Sequence, residues 1–565
     1  MNPRIIECVP NFSEGRDQEV IARIAAAIER VEGVDLLNVD PGQATNRTVM
    51  TFVGSPEAVV EAAFQGVKCA AEQIDMRKHK GTHPRMGATD VLPLIPISGI
   101  TLEECAALSR DLARRIAQEL RIPTYCYEAA AFKPERKNLA VCRAGEYEAL
   151  PEKLADSDKA PDFGARPYDE EIARTGATTV GARDFLIAVN FNLNTTSTRR
   201  ANAIAFDVRE KGRPVREGDP IVGKIVKDAG GNPVMQPGTL KATKAIGWFI
   251  EEYGIAQVSM NITDIAMTPL HVAFDEVCRK ADARGVRVTG TEIVGLVPKR
   301  ALIEAGKYFL RKQHRSTGIA EKEIIRIAVK SMGLDDLKPF IPEEKVIEYL
   351  LQAKVEKKRL IDMSCKDFTI ETASESPAPG GGSIAACMGA LGAALGTMVA
   401  NLSAHKAGWD ERWEEFSNRA EQGQSLLEEL LHLVDEDTAA FNRIMEVFAM
   451  PKSTDEEKAA RSEALEAATL YATQVPLRTM KTAAQVFDLV EAMAAEGNPN
   501  SVSDAGVGAL AARSAVLGAC LNVKINAAGL KNRTTAEALI AEAETLATEA
   551  SRREKEVLAL VESKI

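Results

Sequence analysis

The pattern of apolar residues changes partway along this 565-residue chain, and that change constrains the fold more than any other feature. Up to about residue 310, short β-branched runs alternate with amphipathic helical stretches, which is typical of α/β domains. After about residue 357, almost every segment has helical periodicity, which indicates a helical bundle. Because a single core rarely supports a chain of this length, the two textures predict separate domains.

The first half contains two stretches with a similar order of elements. The first predicts β-α-β-β-α-β-α, with strands at 5–10, 35–39, 48–53 and 89–97 and helices at 19–31, 56–73 and 102–120. The second predicts strands at 185–191, 255–262 and 286–294 and helices at 197–210 and 269–284. We therefore expect two related α/β-sandwich-like subdomains, each a sheet with helices on one face.

The second half predicts an all-α helical-bundle domain. Its helices are expected at 382–403, 410–449, 455–473, 477–496, 504–526 and 533–563. A stretch with two X-Pro steps and a charged run separates the halves and is typical of a linker. The predicted divisions are two subdomains at 1–182 and 183–340, a linker at 341–358 and the helical domain at 359–565.

Composition argues against several classes of protein. The net charge of −11 disfavours nucleic-acid binding, which usually needs a basic face. Nine cysteines without a CxxC pair favour reduced thiols in a cytoplasmic protein and give no sign of a metal site. The apolar stretch at 384–402 is long enough to cross a bilayer, but its alanines and glycines fit a packed helix better. Residues 1–14 carry charge where a signal peptide needs an apolar core. We expect no membrane partner.

A first candidate site lies at 77–90, which holds four basic side chains and two histidines in an acidic chain. His83 precedes Pro84, which favours an extended or turn conformation on a loop. A histidine there can exchange a proton near neutral pH, and Arg77 and Arg85 could bind carboxylates. A solvated basic loop with an idle histidine explains the composition equally well.

A second candidate site begins at Gly380, Gly381 and Gly382, which precede a predicted helix and leave backbone N–H groups open to a ligand. A tight helix entry is the alternative. In the helix at 426–447, Asp437 lies at the edge of the apolar face, where a carboxylate needs a partner or a task. A structural carboxylate that caps a neighbouring helix is the alternative here. The expected apolar stripe is Leu427, Leu430, Leu431, Val434, Phe441, Ile444 and Met445.

Several polar residues surround this predicted carboxylate. Asp435 and Glu436 fall off the apolar stripe, so we expect them on the solvent side of the helix. Later segments supply polar groups that could face the same cavity: Asn498, Ser503, Asp504, Asn522 and Asn526.

These motifs together resemble a known family. The segments at 8–15, 40–48, 79–87 and 181–183 resemble formimidoyltransferases, and those at 379–383 and 434–441 resemble the cyclodeaminase and methenyltetrahydrofolate cyclohydrolase group. Their order resembles the bifunctional glutamate formimidoyltransferase/formimidoyltetrahydrofolate cyclodeaminase family. The resemblance implies catalytic roles for His83 and Asp437. The expected substrate or folate contacts are Asn11, Asp40, Arg47, Arg85, Thr178, Gly181, Arg183, Gly380, Gly381, Gly382 and Ser383, together with a folate loop formed by Gly164, Ala165, Arg166, Pro167, Tyr168, Asp169, Glu170, Glu171, Ile172 and Ala173.

The resemblance also implies a reaction. The formimidoyl group of N-formimidoyl-L-glutamate moves to N5 of tetrahydrofolate, and ring closure then gives 5,10-methenyltetrahydrofolate and ammonia, as in histidine breakdown. His83 would carry the transferred proton, and Asp437 has the right sign to stabilise the growing positive charge. Tetrahydrofolate, with or without a polyglutamate tail, is a co-substrate, and no tightly bound cofactor or metal is expected. The family forms homo-oligomers, including rings of dimers.

Two alternatives stay open at this point. One is a glutamate formyltransferase joined to a methenyltetrahydrofolate cyclohydrolase-like domain, because the sequence does not separate amidine from amide substrates. The other is a non-catalytic scaffolding protein that retains the fold, against which the presence of both His83 and Asp437 argues.

Overall fold

The computed structural model describes residues 4–43, 45–81, 84–218, 223–354 and 359–565. The predicted catalytic His83 lies outside the described residues. The chain forms two compact units, an α/β unit of residues 1–302 and 332–355 and a helical unit of residues 303–331 and 356–565. Residues 303–331 therefore pack with the helical unit, although the sequence pattern assigns them to the second subdomain.

The first subdomain is built on a seven-stranded sheet in the described residues. Strand β4 lies between β3 on one side and β1 and β2 on the other, β5 pairs with β1 and β2, and β7 pairs in parallel with both β5 and β6. The elements are β1 (Ile5–Cys8), β2 (Asn11–Phe12), α1 (Gln18–Glu29), β3 (Val34–Gly42), β4 (Arg47–Gly54), α2 (Pro56–Gln73), β5 (Thr89–Ser98), α3 (Leu102–Glu119), β6 (Thr124–Glu128), α4 (Leu139–Cys142), α5 (Leu150–Ala155), α6 (Glu170–Thr175) and β7 (Thr178–Ala182).

Local sequence signals explain why the main helices begin where they do. The side chain of Asp17 accepts hydrogen bonds from the first turn of α1, and Ser55 caps α2, which has Pro56 in its first turn. Thr101 and Glu104 form the predicted capping box of α3. The apolar faces of these three helices share one core with residues of β1, β4, β5 and β7.

The second subdomain is a four-stranded antiparallel sheet in the order β11-β12-β8-β13. Its edge strand β11 was not predicted from the sequence, because the apolar side chains of Ile246 and Phe249 are exposed and break the alternation expected of a half-buried strand. The elements that follow β7 are β8 (Ile187–Leu193), α7 (Thr198–Val208), β9 (Arg213–Pro214), β10 (Met235–Gln236), β11 (Thr243–Ile250), β12 (Ile255–Ile262), α8 (Leu270–Asp282), β13 (Val288–Val294), α9 (Lys299–Lys312), α10 (Glu321–Met332), α11 (Pro342–Lys345) and α12 (Ile347–Lys354).

The remaining elements are all helices and form the predicted bundle, so the predicted fold class is confirmed. They are α13 (Cys365–Thr372), α14 (Gly381–Ala404), α15 (Trp413–Phe448), α16 (Asp455–Glu496), α17 (Val502–Ala528) and α18 (Arg533–Glu562). Small residues allow α14 and α17 to approach closely, since a Cβ on Gly392 would lie 2.9 Å from the carbonyl oxygen of Gly508.

Two segments of the bundle are long and apolar enough to cross a membrane, Gly381–Ala404 and Pro499–Ala528. Within their most apolar windows, 61% and 50% of the residues are buried inside the protein. The alanines and glycines of these segments belong to the bundle core. Burial against neighbouring helices thus accounts for their hydropathy.

Helix α16 corrects one prediction, because the helices expected at 455–473 and 477–496 are a single helix with Pro476 in its interior. Proline has no N–H, so the carbonyl of Ala472 loses its helical partner. The side-chain amide of Asn526 on α17 donates to that carbonyl instead, at 2.7 Å. This bond from a neighbouring helix satisfies the carbonyl that Pro476 leaves unpaired.

Helix α15 corrects the predicted apolar stripe. Phe441 and Met445 are 37% and 51% exposed, although Leu430 and Val434 of the same stripe are buried. The reason is that α14 begins at Gly381, and Asp437 of α15 lies against this beginning. The turns of α15 beyond Asp437 therefore have less of α14 to pack against.

Candidate active sites

Three of the loops singled out in the sequence meet in the α/β unit. The backbone N–H of Gly15 donates to Asn46 Oδ1 at 3.0 Å, and Asn46 Nδ2 donates to the carbonyl of Lys80 at 3.1 Å. The hydroxyl of Ser13 donates to the carbonyl of Gly87 at 2.7 Å. The described parts of the segments at 8–15, 40–48 and 79–87 are thus joined by hydrogen bonds into one candidate site.

A buried ionic cluster lies beside this junction. Arg47 donates to Asn11 Oδ1 from Nε at 2.9 Å and pairs with Asp90, whose side chain is 1% exposed, at 3.2 Å. Asp90 also pairs with Arg143 at 2.7 Å and accepts the backbone N–H of Met86 at 2.9 Å. Burial lowers the pKa of Arg47 to about 10, so it stays charged at neutral pH. Two guanidinium groups share one carboxylate, which leaves positive charge suited to an anionic substrate.

The sequence analysis found Asn11 and Arg47 but missed Asp90 and Arg143. Asp90 ends the motif at 77–90, and its position just inside β5 could have drawn attention to it as a buried acid next to a basic loop. Arg143 follows the short helix α4 and belongs to no motif, so no sequence signal indicates it.

His79 connects the same junction to Arg85. Its Nε2 lies 2.8 Å from the carbonyl oxygen of Asn46, and its Nδ1 accepts from Arg85 Nε at 3.3 Å. A carbonyl only accepts and a guanidinium only donates, so the ring is neutral with its proton on Nε2. Burial lowers the pKa of His79, which agrees with the neutral form. His79 therefore positions Arg85 and is not available as a proton carrier in this state.

The predicted folate loop lies next to the basic segment. Arg77 pairs with Glu170 at 2.9 Å, and the backbone N–H of Met76 donates to the carbonyl of Arg174 at 2.9 Å. Ile172 and Ala173, two of the predicted contacts, are buried in the core, so their side chains do not face a ligand here. The accessible residues of the loop include Tyr168, which is 36% exposed, and the side chains of Glu170 and Glu171 in the first turn of α6.

The other predicted contacts of this site lie in different surroundings. Thr178 and Gly181 are buried in β7, where a Cβ on Gly181 would lie 2.6 Å from the ring of Tyr127. Arg183 follows this strand, and its charge opposes the effect of burial, which raises the pKa of Glu7 to about 7. Asp40 is exposed on β3, where its backbone pairs with Val49 of β4, the strand that begins at Arg47.

The second site lies in the helical unit, where α15 crosses the beginning of α14. The hydroxyl of Ser383 donates to Asp437 Oδ2 at 3.0 Å, and the hydroxyl of Thr438 lies 3.3 Å from that of Ser383. A Cβ on Gly382 would lie 2.1 Å from Asp437 Oδ1, so only glycine lets the carboxylate approach this closely. The predicted glycine motif and the predicted carboxylate therefore form one site.

Opposing effects set the acidity of Asp437. Burial raises its pKa, whereas hydrogen bonds from the Ser383 side chain and backbone lower it. The backbone contribution comes from the first turn of α14, where unpaired N–H groups and the helix dipole favour an anion. The carboxylate is thus held in a half-buried position from which it can accept a proton or face a cation.

Asp435 and Glu436 were expected on the solvent side of α15, but both are hydrogen-bonded to other segments of the helical unit. Asp435 accepts the backbone N–H of Leu360 at 2.7 Å, and the side chain of Glu436 is only 16% exposed and accepts a hydrogen bond from Tyr471. Neither lies freely in solvent, because α16 and the 3₁₀ turn at 360–362 cover that side of α15.

Not all of the polar residues that were predicted to face the second site lie near it. Asn522 lies near the glycine motif, since a Cβ on Gly381 would be 3.4 Å from its Nδ2. The Asn526 amide is used on Ala472, and the Asn498 side chain caps the short turn after α16. Across the described part of the chain, no group of three or more His, Cys, Asp or Glu side chains is placed to hold a metal ion.

Three protein families match successive parts of this chain. A family described as the formiminotransferase domain, N-terminal subdomain, matches residues 5–183, and the formiminotransferase domain matches residues 188–352. The family described as formiminotransferase-cyclodeaminase matches residues 364–545. A formimidoyltransferase-cyclodeaminase of Mus musculus is 42% identical over 523 residues, covering 93% of this chain and 92% of its own length. This chain belongs to the formimidoyltransferase-cyclodeaminase family.

Two shorter relatives each match only part of the chain. A glutamate formimidoyltransferase of Streptococcus pyogenes serotype M1 is 43% identical over 309 residues, covering 54% of this chain and 94% of its own length. A methenyltetrahydrofolate cyclohydrolase of Methylorubrum extorquens is 41% identical over 202 residues, covering 35% of this chain and 97% of its own length. The predicted family resemblance is confirmed, and the enzyme is a bifunctional transferase and cyclodeaminase.

Proposed function

We propose that the enzyme transfers the formimidoyl group of N-formimidoyl-L-glutamate to N5 of tetrahydrofolate and then cyclises the product to 5,10-methenyltetrahydrofolate with release of ammonia. The observation that carries this proposal is the contact between Asp437 and the glycine beginning of α14, in a chain that also contains both transferase subdomains. The names of the relatives support the two reactions in this order along the chain.

The α/β unit would carry out the transfer. N5 of tetrahydrofolate attacks the amidine carbon, the bond from that carbon to the glutamate nitrogen breaks, and the N5 proton ends on the departing amine. We assign the proton transfer to His83, whose segment joins the cluster of Arg47, Asp90 and Arg143 through Met86. A general acid–base residue of this kind contributes roughly 10²–10⁴-fold to the rate. The surplus guanidinium charge suits the carboxylates of the glutamate donor.

The helical unit would carry out the ring closure. N10 attacks the same carbon, ammonia leaves, and the product is a cation. A carboxylate close to the reacting carbon stabilises this cation, and Asp437 is the half-buried carboxylate of this site. Its oxygen can also pass a proton to the departing nitrogen. The glycines at 380–382 let the substrate approach the backbone, and Ser383 holds the carboxylate in place.

The cellular compartment and the oligomeric state of the enzyme are also part of this proposal. We propose that it acts in the cytoplasm as a homo-oligomer, with a ring of dimers as the arrangement. None of the nine cysteines forms a disulfide in the described residues, which suits a reducing compartment. A polyglutamate tail on tetrahydrofolate would keep the intermediate near the protein by raising its effective concentration.

The test is a spectrophotometric assay with tetrahydrofolate and N-formimidoyl-L-glutamate that follows methenyltetrahydrofolate absorbance and ammonia release. Wild type should form both products, His83→Ala should form neither, and Asp437→Asn should accumulate 5-formimidoyltetrahydrofolate. His432→Ala and Asp455→Asn change exposed residues of the same types and should retain both activities.

Two other outcomes of this assay would contradict the proposed function. Activity with N-formyl-L-glutamate but not with the formimidoyl donor would identify a formyltransferase on the same scaffold. Absence of turnover with either donor would refute the proposed function and favour a scaffolding role.

A further inference from the structure

A cavity of about 410 Å³ adjoins the transferase site and is lined in part by acidic side chains that have no assigned role in the proposed reaction. It is lined by Lys80, Gly81, Arg85, Gly145, Glu146 and Glu148. Three of these residues stand within three positions of His83 in the sequence, and the other three belong to a turn that follows α4. The turn at 145–148 matches no motif of the sequence analysis.

The two acids of this turn share a single guanidinium group. Arg85 pairs with Glu146 at 3.2 Å and with Glu148 at 2.7 Å, and its side chain is only 12% exposed. Arg85 lowers the pKa of Glu148, so this acid is ionised at neutral pH. Lys80 lines the same cavity, so its walls carry two cationic and two anionic side chains, and both carboxylates remain accessible, at 41% and 64% exposure.

The backbone of the turn is held in a conformation that costs energy. Gly145 has a φ of +77°, and Glu146 has φ +58° and ψ −155°, a region that is close to glycine-only. Such a conformation persists only where its surroundings fix it. The next residue provides this support, because the backbone N–H of Tyr147 donates to the Arg85 carbonyl at 2.9 Å and its hydroxyl donates to the Ala173 carbonyl at 2.5 Å. The turn therefore presents Glu146 to the cavity in a fixed direction.

We propose that Glu146 and Glu148 bind the amidinium group of the donor and make the transferase selective for a charged formimidoyl group over a neutral formyl group. This inference rests on the proposed function. An amidine is a strong base that is protonated at neutral pH, and its planar cation has two N–H edges that match a carboxylate. A formyl amide has no charge. The guanidinium groups of the neighbouring cluster would face the donor carboxylates at the same time.

The transferred group is positively charged both before and after the transfer. The bond from the carbon to the glutamate nitrogen breaks, the bond to N5 forms, and the N5 proton ends on the glutamate amine. The transferred group is an amidine both before and after the step, so the carboxylates face a cation from substrate to product. Equal contact with the substrate and the product lowers the KM without raising kcat, so the two acids act on donor binding.

The test uses the full-length enzyme and the variants Glu146→Gln and Glu148→Gln. The KM for N-formimidoyl-L-glutamate should rise about tenfold to a hundredfold in each, the size of one lost charge-assisted hydrogen bond. The inhibition constant of N-formyl-L-glutamate, whose formyl amide is uncharged, should change by less than about threefold when it is used as a competitive inhibitor. Glu148 lies outside the strained residue, so its variant tests the idea even where the turn at Glu146 is disturbed.

Control measurements distinguish a loss of amidinium binding from a general structural effect of the substitutions and from failure of the proposed function. Glu152→Gln removes the same charge from the exposed surface of α5 and should change neither constant. Cyclisation of directly supplied 5-formimidoyltetrahydrofolate should be unchanged in all variants. Equal weakening of both ligands, or no change in either, would overturn the inference while the wild-type activity stands. A wild type inactive with the formimidoyl donor would instead refute the proposed function.

Discussion

At the scale of single residues, the second site depends on how closely one carboxylate approaches a helix terminus. Asp437 is buried enough for its pKa to rise, and the Ser383 hydroxyl opposes this rise because it donates to the ionised form. Gly382 allows the approach, since any side chain there would overlap the carboxylate. The same glycine motif thus serves both as a helix entry and as one wall of the site.

We predict that Ser383→Ala shifts the pH dependence of the cyclodeaminase reaction. Loss of the hydroxyl removes a hydrogen bond to the charged form, so the pKa of Asp437 rises. If ionised Asp437 is the active form, the acid limb of kcat/KM moves to higher pH by about 0.5–1 unit, the equivalent of a bond worth ~1 kcal/mol. The measurement is a pH profile with 5-formimidoyltetrahydrofolate as the substrate.

Ser514→Ala is the matched control for this profile, because the Ser514 hydroxyl bonds only to its own helix at Leu510. Its acid limb should coincide with that of wild type. A Ser383→Ala profile that does not move, or that moves to lower pH, would show that the hydroxyl does not stabilise an active carboxylate.

At the scale of elements, the bundle contains a proline inside its longest helix. Pro476 interrupts the hydrogen bonding of α16, and Asn526 of α17 bonds to the carbonyl of Ala472, which is left without its helical donor. An unpaired buried carbonyl would be costly, so a neighbouring helix determines whether α16 continues. Helix continuity is here a tertiary property.

We predict that Asn526→Leu lowers the free energy of unfolding of the helical unit by ~1–3 kcal/mol, the cost of a buried carbonyl without a donor. In a Pro476→Ala background the loss should be smaller, because the alanine introduced there supplies a backbone N–H to the same carbonyl. A double-mutant cycle from urea unfolding measures this coupling, expected at ~1 kcal/mol.

The same cycle with Asn522→Leu provides the comparison. The Asn522 amide bonds within its own helix, to the carbonyl of Gly518, so it should show no coupling to Pro476. Equal coupling for both asparagines would contradict the compensation described for Ala472.

At the scale of the whole molecule, the two candidate sites lie in units that have separate cores. The core of the first subdomain includes Ile24 and the core of the bundle includes Leu430, both fully buried. Residues 303–331 pack with the bundle, where the backbone N–H of Thr317 donates to Ser417 at 3.0 Å and Asn401 donates to the carbonyl of Gly318 at 2.8 Å. The helical unit is therefore larger than the helical half of the sequence.

We predict that thermal unfolding shows two transitions, each affected by truncation of its own core. Ile24→Ala should lower the midpoint of one and Leu430→Ala that of the other, since each removes a large buried side chain at a cost of ~2–5 kcal/mol. Scanning calorimetry of the full-length enzyme measures both. Leu521→Ala, at a position 70% exposed, should move neither. A single transition that both core variants shift would contradict independent units.

The sequence by itself determined the fold class, the family and part of the order of elements, because periodicity, capping residues and turn motifs act over a few neighbouring positions. Thr101 and Glu104 predict a capping box that the structure contains, and the position of Asp437 on the helix predicts its placement beside the core. Only the tertiary structure decided which distant groups meet. It joined Arg47 to Asp90 and Arg143, it continued α16 through Pro476 by means of Asn526, and it set two acids against Arg85. Such pairings depend on packing between segments far apart in the chain, and no local pattern encodes that packing.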